Sequence, residues 1–187
     1  PGVSLSGNFT VEVHNETAVP ANRYVRVTGT GVTFTLAGQT LSANIVAEQT
    51  TTSGGARVVK AGITNLSLAI GDGTNTFASI SNGSGLLIVS AEGVAASFTV
   101  TPSFNLPGVT LIGGTVSLKI NTGSAAVDES LVVAGSTVSI DVPAGPYVRV
   151  EVLGAILRIG AAGGPQLSGD FAFDQGTRAN NTKITRV

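Results

Sequence analysis

The residues that could carry acid–base chemistry are few, and they stand in alternating, strand-like surroundings. The single histidine, His14, follows an alternating run through Phe9, Val11 and Val13, and it falls on the opposite side of that run. A Ser-His-Asp triad would need this histidine, yet the chain has no Gly-x-Ser-x-Gly elbow. The P-loop, the dinucleotide fingerprint and the HExxH pattern are absent as well. The sequence therefore predicts no catalytic residue and no enzyme.

The carboxylates recur in a way that favours a structural role. Glu48 is matched later in the chain by Asp174, and Asp170 stands where Asn44 stood before. A pair of carboxylates for glycoside hydrolysis would be expected once. Residues that recur suit a task required by every unit, such as closing a turn or bonding the backbone of a neighbouring strand.

An oxygen-rich loop at residues 72–75 offers two interpretations. Asp72 and Asn75 are candidate calcium ligands, because calcium prefers six to eight oxygen atoms. An Asp-Gly hairpin turn accounts for the same residues. Calcium is the one cofactor that the residues suggest, since a chain without cysteine has no thiolate metal site.

Two aromatic–cationic pairs form the candidate binding residues. In extended strands Tyr24 and Arg26 share one face, as do Tyr147 and Arg149. Such a ladder can stack on a sugar or pair with neighbouring strands. Pairing with neighbouring strands is the preferred interpretation, and binding of a glycan is the alternative.

Strict alternation of apolar and polar residues dominates the chain and predicts strands with one buried face. Glycine-bearing pairs separate these runs and predict two-residue hairpin turns. These pairs include Asp72-Gly73, Asn82-Gly83, Glu92-Gly93, Ala134-Gly135 and Ala162-Gly163. We expect an all-β, elongated, hairpin-rich antiparallel repeat architecture, stacked like a sandwich or roll. The alternative is a parallel β-solenoid, for which no short regular period is found.

An internal repeat organises the chain as one elongated domain over residues 1–187. PANRYVRV at residues 20–27 returns as PAGPYVRV at residues 143–150. Residues 1–68 thus resemble residues 107–187, and we call them the first and the second copy. The second copy has an additional stretch near residues 128–142, which predicts an extra hairpin. A one-residue offset between the copies also predicts a β-bulge near Gly113 and Gly114.

The end of the chain aligns with the middle of a unit. Residues 183–187 match residues 57–61. We therefore expect a window of a longer array, or one subunit of such an array. A repeat module of this kind typically supplies length, surface or valency.

The composition limits the partners. Charged residues make up 11% of the chain, apolar residues 42%, and the formal net charge is −1. So nearly neutral a chain has no electrostatic reason to bind nucleic acid, and it has no apolar run long enough for membrane insertion. Weak charge repulsion favours self-association. We expect copies of the chain, or neighbouring repeats, as partners.

One pattern carries a family resemblance. LSGDFAFDQ at residues 167–175 and its relative LSANIVAEQ at residues 41–49 alternate with the PAGPYVRV motif. In this the chain resembles tandem β-rich repeat modules of very long secreted bacterial surface proteins, of adhesin-like or matrix type. The resemblance implies an extended, extracellular or cell-surface scaffold, and it implies no functional site.

The sequence thus predicts a structural, non-catalytic module of an extracellular surface protein, filament or matrix that self-associates through strand edges. Two alternatives stay open. One is a carbohydrate- or surface-binding β module that uses the Tyr24/Arg26 and Tyr147/Arg149 faces. The other is a β-helical phage spike or enzyme that acts on polysaccharide.

Overall fold

The computed structural model describes residues 3–16, 23–36, 39–52, 54–72, 74–177 and 183–186. In these ranges the chain forms thirteen β-strands and no helix. No membrane-spanning helix is therefore found among them. The strands are β1 (Val3–His14), β2 (Tyr24–Leu36), β3 (Gln39–Thr51), β4 (Arg57–Gly71), β5 (Thr76–Ser90), β6 (Gly93–Leu106), β7 (Val109–Ile112), β8 (Thr115–Asn121), β9 (Val127–Val133), β10 (Ser136–Val142), β11 (Tyr147–Ile159), β12 (Gln166–Thr177) and β13 (Lys183–Arg186).

Eleven of these strands form one antiparallel sheet in which almost every strand lies beside its neighbour in the sequence. The order runs from β1 through β6 to β7 and β8, and then through β11 and β12 to β13. β7 and β8 occupy successive halves of one position, because both pair with β6 and with β11. The all-β, hairpin-rich antiparallel prediction is therefore confirmed, and a parallel solenoid is not supported.

The remaining two strands form a separate hairpin. β9 and β10 pair antiparallel and meet at a two-residue turn between Val133 and Ser136. The turn residues Ala134 and Gly135 have φ angles of 48° and 81°, which is the left-handed geometry that suits the twist of a tight hairpin. This hairpin is formed by the stretch that distinguishes the second copy from the first.

The hairpin builds the hydrophobic core by packing on one side of the sheet, which we call the hairpin face. Ile140, Val142 and Val133 are completely buried, and they cluster with Leu86 of β5. Close approach depends on Gly62 of β4, where a Cβ atom would lie 2.7 Å from a methyl carbon of Val133. Among the described residues, the fully buried hydrophobic cluster is thus limited to the area under the hairpin.

A buried asparagine holds the hairpin in place. Asn121, at the end of β8, is 1% exposed and donates from Nδ2 to the carbonyl oxygens of Ala125 and Pro143, at 2.7 and 2.8 Å. Its Oδ1 accepts the N–H of Gly123 at 2.8 Å. Ala125 precedes the hairpin and Pro143 follows it, so one side chain ties both of its stems to the sheet.

β-Bulges interrupt the ladders at recurring left-handed residues, whose φ angles lie between 53° and 65°. These residues are Gly31, Asn65, Asn82, Gly113 and Gly154. At Gly113, residues 101–103 of β6 face residues 112–115, which confirms the expected bulge. The prediction of a hairpin turn at Asn82-Gly83 is wrong, because this pair lies inside β5. Asparagine before glycine adopts a positive φ in a bulge as well as in a turn.

Candidate functional site

The two copies close their bulges with the same hydrogen bond. In the first copy, the N–H of Gly31 donates to Oδ1 of Asn44 at 2.8 Å. In the second copy, the N–H of Gly154 donates to Oδ1 of Asp170 at 2.6 Å. A bulge leaves an amide without a ladder partner, and each side chain supplies the missing acceptor. Asn44 and Asp170 thus bond the backbone of the neighbouring strand in both copies.

A second pair of glycines shows the same equivalence. A Cβ atom on Gly7 would lie 2.9 Å from the Cα atom of Val32, and one on Gly114 would lie 3.0 Å from the Cα atom of Ala155. Both glycines have positive φ angles. β1 therefore corresponds to β7 and β8 together, β2 to β11 and β3 to β12, with the same close backbone contact in each copy.

The second copy joins the preceding residues, 69–106, at a seam that is ordinary β-sheet. β6, which precedes the second copy, pairs antiparallel with β8, placing Phe98 opposite Leu118 and Val100 opposite Val116. The pairing continues into β7, where Phe104 faces Leu111. No change of sheet separates residues 69–106 from the second copy, so the backbone ladder itself joins them.

The side of the sheet opposite the hairpin, which we call the open face, is apolar on nearly every strand. Antiparallel partners share a face, so the register assigns Val11, Val27, Ile63, Phe98 and Val150 to this side. Large side chains on this face stay substantially exposed at both flanks of the sheet, including Leu5, Val11 and Val13 of β1 and Leu167 and Phe171 of β12. Exposed apolar patches of this kind are more common on surfaces that associate than on other surfaces.

On the hairpin face of β2, Tyr24 and Arg26 are bonded to neighbouring strands. The Tyr24 hydroxyl donates to Oε1 of Glu12 at 2.6 Å, and this bond raises the pKa of Tyr24. Arg26 Nε donates to Oε2 of Glu48 at 2.8 Å, which raises the pKa of Arg26. His14 stacks on Tyr24 with ring centroids 5.5 Å apart. The polar groups of this cluster are thus used in cross-strand contacts.

The corresponding residues of the second copy are also paired. Arg149 Nη2 donates to Oε1 of Glu151 at 2.6 Å, and that carboxylate raises the pKa of Arg149. Its Nη1 lies 3.7 Å from Oδ2 of Asp174. Tyr147 is half-buried on the same face.

The two clusters lie far apart in the sheet. Five strand positions, those of β3, β4, β5, β6 and β8, separate β2 from β11, which is roughly 29 Å of sheet at ~4.8 Å per strand. The two clusters cannot form a single site.

The Asp72 loop has the geometry of an Asx turn. Oδ1 of Asp72 accepts the N–H groups of Thr74 and Asn75 at 2.9 and 2.7 Å, and Nδ2 of Asn75 donates to Oδ2 at 3.3 Å. The hydrogen bonds, led by that from the Asn75 backbone, lower the pKa of Asp72. In the described ranges, no group of three His, Cys, Asp or Glu residues is arranged to hold a metal ion.

A polar groove of about 330 Å³ lies between the first residues of β10, Ser136 to Ser139, and the sheet. Serine, threonine and asparagine side chains line it, and no titratable side chain does. Thr64, which is 5% exposed, has an Oγ1 atom with no hydrogen-bond partner among the described residues. The groove offers neutral donors and acceptors and no acid or base.

Two residues that organise this architecture were not singled out by the sequence. Asn121 ties down the stems of the hairpin, and Gly62 admits the hairpin to the sheet. An asparagine at the start of the inserted stretch is a weak signal for the first. The second has no signal, because its contacts come from residues far along the chain.

Comparisons with known proteins found no match for this chain. No protein-family model matches the chain, and neither a curated protein nor a solved structure matches it.

Proposed function

We propose that this chain is a structural, non-catalytic repeat module of an extracellular bacterial surface protein, filament or matrix. In this proposal the module extends by continuing one antiparallel sheet from copy to copy, and it self-associates through its strand edges. The observation that carries the proposal is the seam at the start of the second copy, where β6 pairs with β7 and β8. Stability in such arrays is a sum of unit and nearest-neighbour terms, which suits an indefinite length.

Two further features support a scaffold. The open face presents apolar side chains at both flanks of the sheet, which favours association with another protein surface. The recurring polar residues are used in bulges and cross-strand pairs, as in Gly31–Asn44 and Arg26–Glu48. Residues that recur for backbone reasons are what a spacing module requires.

The test is negative-stain electron microscopy with sedimentation velocity, over a concentration series and with or without EDTA. We expect regular filaments that lengthen with concentration. Val11→Lys places a charge on the open face of the edge strand and should block assembly. Thr10→Lys places the same charge on the opposite face and serves as the control. Discrete monomers at every concentration would contradict the proposal, and filaments lost in EDTA would show that assembly needs a divalent cation, for which the Asp72 loop is the candidate site.

A further inference from the structure

The C-terminal half of β1 and the whole of β8 are the same strand in two copies. β1 pairs with β2 so that Val11 faces Val27, and β8 pairs with β11 so that Leu118 faces Val150. The interval between Val27 and Val150 is the one that separates PANRYVRV from PAGPYVRV. Each strand therefore uses one of its two edges in an equivalent way.

Their other edges differ. β8 has β6 as a second neighbour, whereas β1 ends the sheet among the described residues. The open-face side chains of β1 are correspondingly exposed, at 65% for Val11 and 66% for Val13. Their equivalents Leu118 and Ile120 are half-buried. The difference marks what a strand in the position of β6 would cover.

The outer edge of β1 also lacks the usual protection against pairing. The strand is twelve residues long, and VSLSGNFTVEVH contains neither proline nor lysine. Natural edge strands are commonly short, bulged away, or blocked by proline or an inward charge. The one register shift of β1, at Gly7, comes from an extra residue in β2, so the run from Asn8 to His14 is regular and is suited to accept another strand.

We propose that the free edge of β1 binds an antiparallel strand of the β6 type, supplied by another repeat of this kind. This strand carries the Ala-Phe-Val order of Ala96, Phe98 and Val100 on its open face. On the other face it carries small hydroxyl residues in the manner of Ser97 and Thr99. The inference rests on the proposed function and specifies the partner at this edge.

The seam fixes the register of this pairing. The residue that corresponds to Phe98 lies opposite Val11, as Phe98 lies opposite Leu118 within the chain. The residue that corresponds to Val100 lies opposite Phe9. Ser97, which faces Lys119 at the seam, faces Glu12 at the free edge. A short hydroxyl side chain fits beside either charge.

The sequence supplies a direct test. PGV at Pro1 repeats PGV at Pro107, so a second copy of residues 57–106 can be placed immediately before Pro1 without a linker. In this extended chain we expect the β1 amides that do not bond β2 to exchange hydrogen at least about tenfold more slowly than in the original chain. Unchanged exchange would overturn the inference.

A disulfide tests the register independently of overall stability. The chain contains no cysteine, so Val11→Cys combined with Phe98→Cys in the added copy creates a single possible bond. We expect it to form on oxidation, as measured by thiol titration. Thr10→Cys with the same partner is the control, since its side chain points to the opposite face. Bonding by the control, or by neither pair, would overturn the inference.

The outcomes for this edge and for the proposed function separate cleanly. The extended chain is studied as a dilute single polypeptide, so its result does not depend on assembly. Filaments from the original chain without the disulfide in the extended chain would leave the proposed function standing and overturn the β6-type partner. The disulfide without filaments would support that partner and contradict self-association.

Discussion

Strands β2 and β11 carry the same bulge in different surroundings. Gly31 bonds to Asn44 in one copy and Gly154 bonds to Asp170 in the other. Yet only the second copy contributes a hairpin, and that hairpin packs on β3 to β6 and reaches β8. Backbone geometry thus belongs to the repeated unit, whereas the buried core depends on an insertion. This separation predicts very different costs for changes at the two kinds of position.

The largest effect is expected inside the hairpin. Ile140→Ala removes a completely buried side chain and should lower the free energy of unfolding by about 2–5 kcal/mol. Denaturant unfolding followed by circular dichroism measures the change. Val132, on the outer side of the same hairpin and 61% exposed, is the control, and Val132→Ala should cost under about 0.5 kcal/mol. Equal costs at both positions would mean that the hairpin does not provide the core.

The next effect concerns the residue that ties down the hairpin. Asn121→Ala leaves Gly123 N–H and the carbonyl oxygens of Ala125 and Pro143 without this partner, which should cost about 1–3 kcal/mol. Thermal unfolding provides the measurement. His14 is the equivalent residue of the first copy and is exposed, so His14→Ala should change stability by less than about 0.5 kcal/mol. A larger loss at His14 than at Asn121 would refute this distinction between the copies.

A smaller and equal effect is expected at the two bulges. Asn44→Ala and Asp170→Ala each remove the acceptor of a bulge amide and should each cost about 0.5–1.5 kcal/mol. The exchanges Asn44→Asp and Asp170→Asn keep an acceptor and should cost much less, because each copy already uses the residue of the other. Urea unfolding of the four variants makes the test. Unequal losses from the two alanine variants would show that the copies are not equivalent at this point.

The smallest effect on stability is expected at Asp72, in the turn between β4 and β5. Hydrogen bonds lower the pKa of Asp72 in the folded chain below the ordinary value of about 3.9. The stabilisation by this carboxylate is therefore complete above that value and is lost as the pH falls through the folded pKa. The advantage of the wild type over Asp72→Asn should therefore shrink as the pH falls below about 5, as measured by thermal unfolding. An advantage that grows in acid would mean that the sign is wrong.

Much of this architecture follows from local residue patterns. Alternation predicts the strands, Ala134-Gly135 predicts a hairpin turn, and the offset near Gly113 predicts a bulge. These features depend on neighbours in the sequence, so the sequence is enough to locate them. Asn82-Gly83 misleads because a bulge and a turn require the same left-handed backbone.

What could not be predicted depends on contacts between distant residues. In the sequence, Gly62 looks like any other glycine in a strand. Its role becomes visible only when Val133 of the hairpin is packed against it. The Tyr24 and Arg26 pair shares a strand face, as alternation implies. Its bonds to Glu12 and Glu48 come from two other strands, whose register the sequence does not specify.

The position of the hairpin also affects the order of folding steps. Most strands of the sheet pair with the strand before or after them, and such short-range contacts form early in folding. The hairpin is different, because Lys60 and Glu129, which are joined at 2.8 Å, lie 69 residues apart in the sequence. Closing so long a loop costs more chain entropy before any packing is gained. We expect the ladder to assemble first and the core to close last, so the slowest folding step is the docking of the hairpin.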